Sequence, residues 1–448
     1  MKKRARLAAC LVLGAGLAGA AAAQETLVLT LEDSVRMALA QNPFHQASQQ
    51  KVQSARSLVN EAASRFLPSL NGQGLYTLDE KLFVLEFGSM FPGQPPQRIS
   101  MDFTKDYQFS LSLAMPLFTG GRLVSGYKQA RYNMDAARET VKQSRQDTIF
   151  NVKKAFYGYL LAGKFVEVSE EAVGLAEKHY TNVKNLTQVG MASKFDLLRS
   201  EVQLANLKPQ LIRARNGLRT AELGLKMLLG LDLTQAIEIR GELSYQPVEP
   251  DAAGSETQAL AARPELSQLQ FQSRMAAEMV KIAKASYLPT LAIGGNFNFW
   301  ADRLSFRKGA WQDYYTINLV LTVPIFNGFI EQAQIGQSKA LLREIEWNRK
   351  GLAEMVKFEV QQALLNLQQA KESLLAQGKS VEQAQESVRI AELNFSEGLA
   401  TNLDVSSVQV ALAQARTNYA QALFDYVLSL AQLDKATGTD EFKTEETE

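Results

Sequence analysis

The sequence predicts a mainly α-helical fold with a small membrane-type β contribution, in which one unit of strands and long helices occurs twice. Three observations predict it. From Tyr107 to Met115, apolar residues alternate with polar or small ones, which is the period of a strand with one apolar face. From Arg122 to Lys208 there is no proline, and the apolar period changes to about 3.5, which is typical of a long coiled helix. The same succession recurs 208 residues later.

The first 23 residues have the features of a secretory signal peptide: four basic residues, an apolar run from Leu7 to Ala20, and small residues at 21–23. The only cysteine, Cys10, lies in this run, so we expect no disulfide and no lipid anchor in the mature chain. Removing four of the 48 basic residues leaves 44 against 47 acidic ones, a formal charge of −3 that gives no nucleic-acid footprint. After residue 24, no apolar run is long enough for a transmembrane helix.

The chain divides into five predicted segments. They are a signal peptide (1–23), a first repeat (24–246), a Pro/Gly/acid-rich linker (247–257), a second repeat (258–438) and a disordered acidic tail (439–448). The first repeat is expected to have its strand hairpin at about 70–116 and its long helices at about 121–230. The corresponding elements of the second repeat are expected at about 290–324 and 329–436.

The first repeat opens with two short predicted helices, Leu31–Ala40 and Phe44–Phe66, which Asn42-Pro43 and Leu67-Pro68 terminate. We expect an extended segment from Leu70 to Leu85, a loop over 91–96, and a returning strand at 107–115.

A helix of 67 residues is predicted from Gly121 to Thr187, which corresponds to about 100 Å at 1.5 Å per residue. Its second half has a heptad seam for coiled-coil packing, formed by Val166, Val173, Ala176, Tyr180 and Val183. His179 precedes a seam residue, and we expect it to be solvated. A second helix runs from Ser193 to Gly230, and Pro209 is expected to kink it.

Matching residues recur at fixed offsets, which indicates an internal duplication. Asn42-Pro43 recurs as Arg263-Pro264, 221 residues later. The offset is 208 for the strand-to-helix joints and the hairpin tips, where Pro116, Gly120, Gly190 and Asp196 match Pro324, Gly328, Gly398 and Asp404. The difference of 13 between the offsets assigns the longer hairpin loop to the first repeat.

Each repeat therefore supplies two strands, and aromatic residues near the second hairpin loop fit a membrane interface. Four strands cannot close a barrel, so strands that span a membrane must be pooled between copies. Two copies would give a filled barrel of eight strands and three copies a hollow one of twelve. A hollow barrel suits the polar or small inward positions Gln108, Ser110, Asn296 and Asn318.

The duplicated order of motifs resembles the outer-membrane efflux protein (TolC-like) family from about Leu31 to Gly438. The motifs are Pro116-Leu-Phe-Thr-Gly120, Pro324-Ile-Phe-Asn-Gly328, Val189-Gly-Met-Ala-Ser-Lys-Phe-Asp-Leu-Leu198 and Glu397-Gly-Leu-Ala-Thr-Asn-Leu-Asp-Val405. The resemblance implies long antiparallel helical hairpins forming an α-barrel, and a trimeric twelve-stranded β-barrel in the outer membrane. It implies docking on periplasmic adaptor (membrane fusion) proteins and inner-membrane transporters. The implied function is the exit duct of a tripartite efflux pump or type I secretion system.

The hairpin tips are the candidate gate. Glycine ends one helix at each tip, and Ser193-x-x-Asp196 and Thr401-x-x-Asp404 are capping boxes for the next helix. The same aspartates would form acidic rings that favour cations. The resemblance implies a tyrosine and an arginine beside the second tip, and a carboxylate one turn after Asp404. The matching positions hold Phe395, Ala400 and Ser407, so we predict weaker cation selectivity and a closure that relies on the packing of Phe395.

Two other classes of protein fit less well. A soluble periplasmic coiled-coil adaptor or scaffold would share the heptad seams, but the four strands with aromatic ends disfavour it. A hydrolase is disfavoured because no catalytic constellation, phosphate loop or cofactor motif stands out. The histidines, His45 and His179, have no ligand-like spacing to carboxylates, so we expect no metal site.

Overall fold

The computed structural model describes residues 27–78, 83–88, 97–101, 107–305, 307–440 and 442, so the predicted signal peptide and the predicted loop at 91–96 lie outside the described residues. The helices are α1 (Leu31–Gln41), α2 (Pro43–Ser64), α3 (Arg122–Gln188), α4 (Lys194–Leu229), α5 (Ala252–Ala262), α6 (Pro264–Ala285), α7 (Ile330–Ser396) and α8 (Asn402–Thr437). The strands are β1 (Leu27–Leu29), β2 (Ser69–Tyr76), β3 (Phe83–Phe87), β4 (Gln97–Met101), β5 (Tyr107–Phe118), β6 (Ile237–Ile239), β7 (Thr290–Ala301) and β8 (Gln312–Thr322).

Two long helical hairpins dominate the chain, which confirms the mainly α fold. The helices α3 and α7 have 67 residues each, and α4 and α8 have 36 each. Of the predicted heptad residues of the first hairpin, Ala176 and Val183 are buried, and Leu374 and Val388, at the positions 208 after Val166 and Tyr180, are buried in the second. Val166, Val173 and Tyr180 are partly buried. The helix α4 continues through Pro209.

The four long helices lie in the order α4, α3, α8, α7, because α3 packs on α4, α8 on α7, and α3 on α8. The helices α4 and α7 are therefore at the two flanks. The short helices α2 and α6 both pack on α3, and α6 also packs on α7.

A four-stranded antiparallel sheet, in the order β2-β5-β7-β8, lies at the end of α3 and α7 opposite to the hairpin tips. In β5, Ser110 and Ser112 pair with Asn298 and Asn296 of β7, and Leu111 pairs with Phe297. Because side chains alternate between the faces of a strand, this register gives the sheet one polar and one apolar face.

The C-terminal end of the shorter helix of each hairpin is fixed to the short helices by an equivalent contact in each repeat. Asn42 Nδ2 donates to the carbonyl oxygen of Leu228 at 2.9 Å, and Arg263 Nη1 donates to that of Ala436 at 3.4 Å. The two carbonyl groups are 208 residues apart, so the duplication extends to these contacts.

Three segments differ from the sequence prediction. The helix α5 begins at Ala252, inside the predicted linker 247–257, because Asp251 caps it by accepting from the N–H of Ala253. The strand β2 ends at Tyr76, before the predicted end of the extended segment at Leu85, and β3 pairs with β4 in a separate ribbon.

The predicted disordered tail 439–448 is ordered at its start. Arg145 pairs with Asp440 at 2.7 Å and also donates to the carbonyl oxygen of Phe442. Residues 441 and 443–448 lie outside the described residues. In the part of the chain that the structure describes, no helix is both long and apolar enough to cross a bilayer.

Candidate functional site at the hairpin tips

Each long hairpin turns at a glycine with a left-handed backbone. Gly190 has φ +76° and Gly398 has φ +74°. The N–H of the next residue reaches back to the carbonyl of Leu186 in the first tip and of Asn394 in the second, both at 2.8 Å. This is the Schellman arrangement, which satisfies the last carbonyl groups of a helix.

The helix that follows each glycine begins with a side-chain cap, as predicted. In the second tip the box is complete: the N–H of Asp404 donates to Thr401 Oγ1 at 3.3 Å, and the N–H of Thr401 donates to the Asp404 carboxylate at 2.8 Å. In the first tip, the N–H of Asp196 donates to Ser193 Oγ at 3.1 Å.

Hydrogen bonds from the side chain and the backbone of Thr401 hold the pKa of Asp404 below its ordinary value of 3.8. The carboxylate is therefore charged at neutral pH. Its contribution to the cap is present above the ordinary pKa and is lost only as the pH falls through the lowered pKa.

His179 is buried, which corrects the prediction that it is a solvated residue. It is 8% exposed, and its Nε2 lies 2.6 Å from Oδ1 of Asn402, the first residue of α8. The ring of Phe395 packs edge-on against it, with centroids 5.1 Å apart. Asn402 of α8 and Phe395 of α7, both in the second hairpin, therefore cover His179.

Asn402 also joins the two tips, because its Nδ2 donates to the carbonyl oxygen of Asp196 at 2.9 Å. Asn402 was not among the site residues predicted from the sequence. It occupies the first helical position after a cap, where an asparagine gives no signal for a contact 206 residues away.

The remaining predicted tip residues have local contacts. The hydroxyl of Ser407 donates to the carbonyl oxygen of Asp404 at 2.8 Å. The N–H of Ala400 donates to the carbonyl oxygen of Asn394 at 3.2 Å. Neither contact reaches the first tip, so the tips are connected through Asn402 and His179.

The strand-to-helix joints lie far from the tips and differ from each other. Pro116 is part of β5, next to a bulge. Gly120 has φ +62°, and a Cβ atom there would lie 2.7 Å from Leu288 Cβ. Gly328, which follows Pro324 in the second joint, has φ +64° but open space around it. Among the described residues, no group of three or more His, Cys, Asp or Glu side chains is placed to hold a metal ion.

The two long hairpins are joined to a small amphipathic sheet at one end, and their tips form the other end. This arrangement defines an elongated, duct-like class of helical protein. Comparison with known proteins agrees with this class. The family profile described as "Outer membrane efflux protein" matches residues 34–231 and 257–439. The chain belongs to this family, and it is an outer-membrane exit channel for efflux or secretion. Members of this family are channel proteins and not enzymes.

Individual relatives are distant but are matched over most of their length. The chain is 23% identical to outer membrane protein TolC of Vibrio cholerae over 328 residues, which are 68% of this chain and 73% of the relative. It is 22% identical to alkaline protease secretion protein AprF of Pseudomonas aeruginosa over 431 residues, 92% of this chain and 84% of the relative. The Campylobacter jejuni CmeC outer-membrane channel superposes with a TM-score of 0.76 at 17% identity, covering 91% of this chain and 85% of that one.

Proposed function

We propose that three copies of the chain close into a single passive duct, with a twelve-stranded β-barrel in the outer membrane and a barrel of twelve long helices below it. The observation that carries this proposal concerns the two sheet edges and the flanking helix α4, which are uncovered in one copy. Through the internal repeat, they correspond to strands that are paired and to a helix, α8, that is covered within the copy.

The sheet supports the proposal first. The strands β2 and β8 are its two edges in the described residues, and the repeat relates β5 to β8 and β7 to β2. Within a copy, Leu111 of β5 pairs with Phe297 of β7. The residue 208 after Leu111 is Leu319 of β8, and the residue 221 before Phe297 is Tyr76 of β2. Leu319 of one copy should therefore lie opposite Tyr76 of the next. Edges that face lipid must be paired, and a second copy supplies the matching edge.

The flanking helices repeat this relation. Ile212 and Leu223 of α4 are 67% and 38% exposed, whereas their equivalents in α8, Ala420 and Ala431, are buried against the rest of the copy. Large apolar side chains are expected to be covered in the assembled protein. The helix α4 therefore needs a partner helix that packs on it as α3 packs on α8 within the copy. That partner is α7 of the next copy.

One pair of positions is especially informative. Within the copy, Lys435 of α8 pairs with Asp147 of α3 at 2.6 Å. The equivalent positions at the flanks are Met227 of α4 and Met355 of α7, which are 63% and 57% exposed. At the seam between copies, an apolar contact between these two methionines therefore takes the place of the ion pair.

Three copies fit better than two. Eight strands would enclose an interior filled by side chains, whereas twelve leave a lumen. The polar face of the sheet, with Ser110, Asn298 and Asn318, suits a water-filled interior.

The partners are assigned by the chemistry of the tips. Exposed apolar side chains recur there at equivalent positions, Met191 with Leu399 and Phe195 with Leu403. Such a repeated apolar rim is suited to a periplasmic adaptor (membrane fusion) protein, through which an inner-membrane transporter would deliver drugs, toxins or secreted proteins. The duct itself does no chemistry on its cargo.

The strand register between copies is tested by cysteine pairing. Cys10 lies in the predicted signal peptide, so the variant Tyr76→Cys with Leu319→Cys carries only the introduced thiols in its mature chain. Oxidation should link copies and yield a trimer on a denaturing gel, because side chains directly opposite lie within disulfide reach.

The control pairs Gly72→Cys with Leu319→Cys, which the proposed register separates by four residues, or about 13 Å. It should not link. A native mass of one or two copies for the detergent-purified protein, or linking by the control alone, would contradict the proposal.

The tips are proposed as the entrance, and the acidic rings are tested by selectivity. Asp196→Asn with Asp404→Asn should lower the preference for cations over anions, measured as a reversal potential across a salt gradient in a planar bilayer. The wild-type preference should persist at pH 5, because the pKa of Asp404 is lowered. An unchanged reversal potential in the double variant would show that these carboxylates do not face the ion path.

A further inference from the structure

We infer that the two tips of one copy are fastened to each other by Asn402 and His179, so that the entrance opens along the seams between copies. The inference rests on the proposed trimeric duct. It assigns positioning roles at the gate to two residues that the resemblance to the family did not indicate.

The buried side-chain amide of Asn402 makes two hydrogen bonds to the first hairpin, one as a donor and one as an acceptor. Asn402 is 4% exposed; its Nδ2 donates to the carbonyl oxygen of Asp196 at 2.9 Å, and its Oδ1 accepts from His179 Nε2 at 2.6 Å. With Phe395 packed on the imidazole ring, residues of α3, α4, α7 and α8 meet at one point. Separating the tips would leave buried polar groups without partners, which is costly.

The same seam carries an ion pair further from the tip. Arg416 of α8 contacts the carboxylate of Glu171 of α3. In its tip-proximal part, the seam between α3 and α8 is thus held by a buried amide at the level of Asn402 and by opposite charges at the level of Arg416.

The seam between copies has neither the buried amide nor the ion pair. At the offset of 208, the equivalents of His179 and Asn402 are Ser387 and Lys194, and both are exposed. The equivalents of Glu171 and Arg416 are Lys379 and Lys208. An attractive pair inside the copy is therefore replaced by two like charges where α7 of one copy meets α4 of the next.

The seam between copies is accordingly apolar at the level of Met227 and Met355 and repulsive nearer the tips. Three fastened pairs of tips are expected to part from each other while each pair stays together. Since repulsion between exposed lysines is screened by salt, opening should be favoured at low ionic strength.

The test links each seam in turn in the purified full-length trimer. A short bismaleimide is applied to Glu171→Cys with Arg416→Cys for the seam within a copy. For the seam between copies it is applied to Lys194→Cys with Ser387→Cys, which leaves Lys208 and Lys379 in place. The readout is single-channel conductance, divided by bulk conductivity, at low and at high KCl concentration.

We expect the unlinked protein to show a rise in this ratio at low salt. Linking residues 171 and 416 should leave the rise intact, whereas linking 194 and 387 should abolish it. Lys379→Glu, which restores opposite charges, should also abolish it. A link at 171 and 416 that blocks the rise, or a link at 194 and 387 that does not, would overturn the inference.

The fastening itself is tested by Asn402→Ala and by His179→Phe, which keeps an aromatic ring against Phe395 but loses the hydrogen bond. Both should raise the conductance at either salt concentration, and Ser387→Ala at the equivalent position of the other seam should not. Unchanged conductance in both variants would remove the role of Asn402 and His179. A wild-type protein that forms no conducting trimer would instead contradict the proposed duct.

Discussion

Replacing Arg263 with alanine is expected to destabilise the folded chain by about 3 kcal/mol, because it leaves carboxylates without a partner in a largely buried site. The guanidinium group is 8% exposed and lies within 3.2 Å of both carboxylate oxygens of Glu265. It also reaches Glu359 at 2.8 Å and the carbonyl of Ala436. The arginine therefore ties the start of α6 to both helices of the second hairpin. Denaturant unfolding in detergent, with the heat-dissociation midpoint of the oligomer, measures the loss.

Arg240→Ala is the matched control. Arg240 pairs with Glu238 at 3.4 Å, but both side chains are more than half exposed, so its removal should cost less than about 1 kcal/mol. Equal losses in the two variants would mean that the site around Arg263 is solvated in the assembled protein. Arg263→Lys should recover only part of the stability, since an ammonium group cannot make the two-pronged contact with Glu265.

Gly120→Ala is expected to reduce the yield of folded oligomer sharply. Its backbone has φ +62°, and the added methyl group would lie 2.7 Å from Leu288 Cβ and 2.9 Å from the carbonyl oxygen of Ala285. The left-handed backbone costs about 1–2 kcal/mol for a non-glycine residue, and overpacking adds about 1–3 kcal/mol. The neighbouring atoms are backbone or close to it and cannot move aside easily. Quantitative blotting of outer-membrane fractions, with and without heating, measures the yield.

Gly121→Ala separates these two contributions. Gly121 has φ +88° but open space around it, so only the backbone cost of about 1–2 kcal/mol applies. A yield for Gly120→Ala as high as that for Gly121→Ala would show that the joint between β5 and α3 can move away from α6.

The sequence predicted the long elements well, because their signals are local and repeated. The predicted helix 121–187 is α3 at 122–188, and the predicted tip caps are present at Ser193 and Thr401. Heptad periodicity identifies the face that meets the coiled-coil partner. It does not identify a second face, and His179 was misjudged because Asn402 and Phe395 of the second hairpin cover it.

The other differences have the same origin in long-range contacts. Arg263 was noted only as the residue before a proline, and its partner Glu359 is 96 residues away. The start of the acidic tail has a composition typical of disorder, yet Asp440 is ordered by Arg145 of α3. The composition of a segment does not show whether an oppositely charged residue elsewhere in the chain will pair with it.

The equal lengths of α3 and α7, 67 residues each, restrict how the protein can change during evolution. Inserting one heptad into a single hairpin would lower its tip by about 10.5 Å relative to the other. Asn402 would then face a different turn of α3, and the six tips of the proposed trimer would no longer share a plane. Insertions and deletions should therefore be retained only as matched pairs, one in each repeat, so that the two halves of the gene are expected to keep the same helix length long after their sequences have diverged.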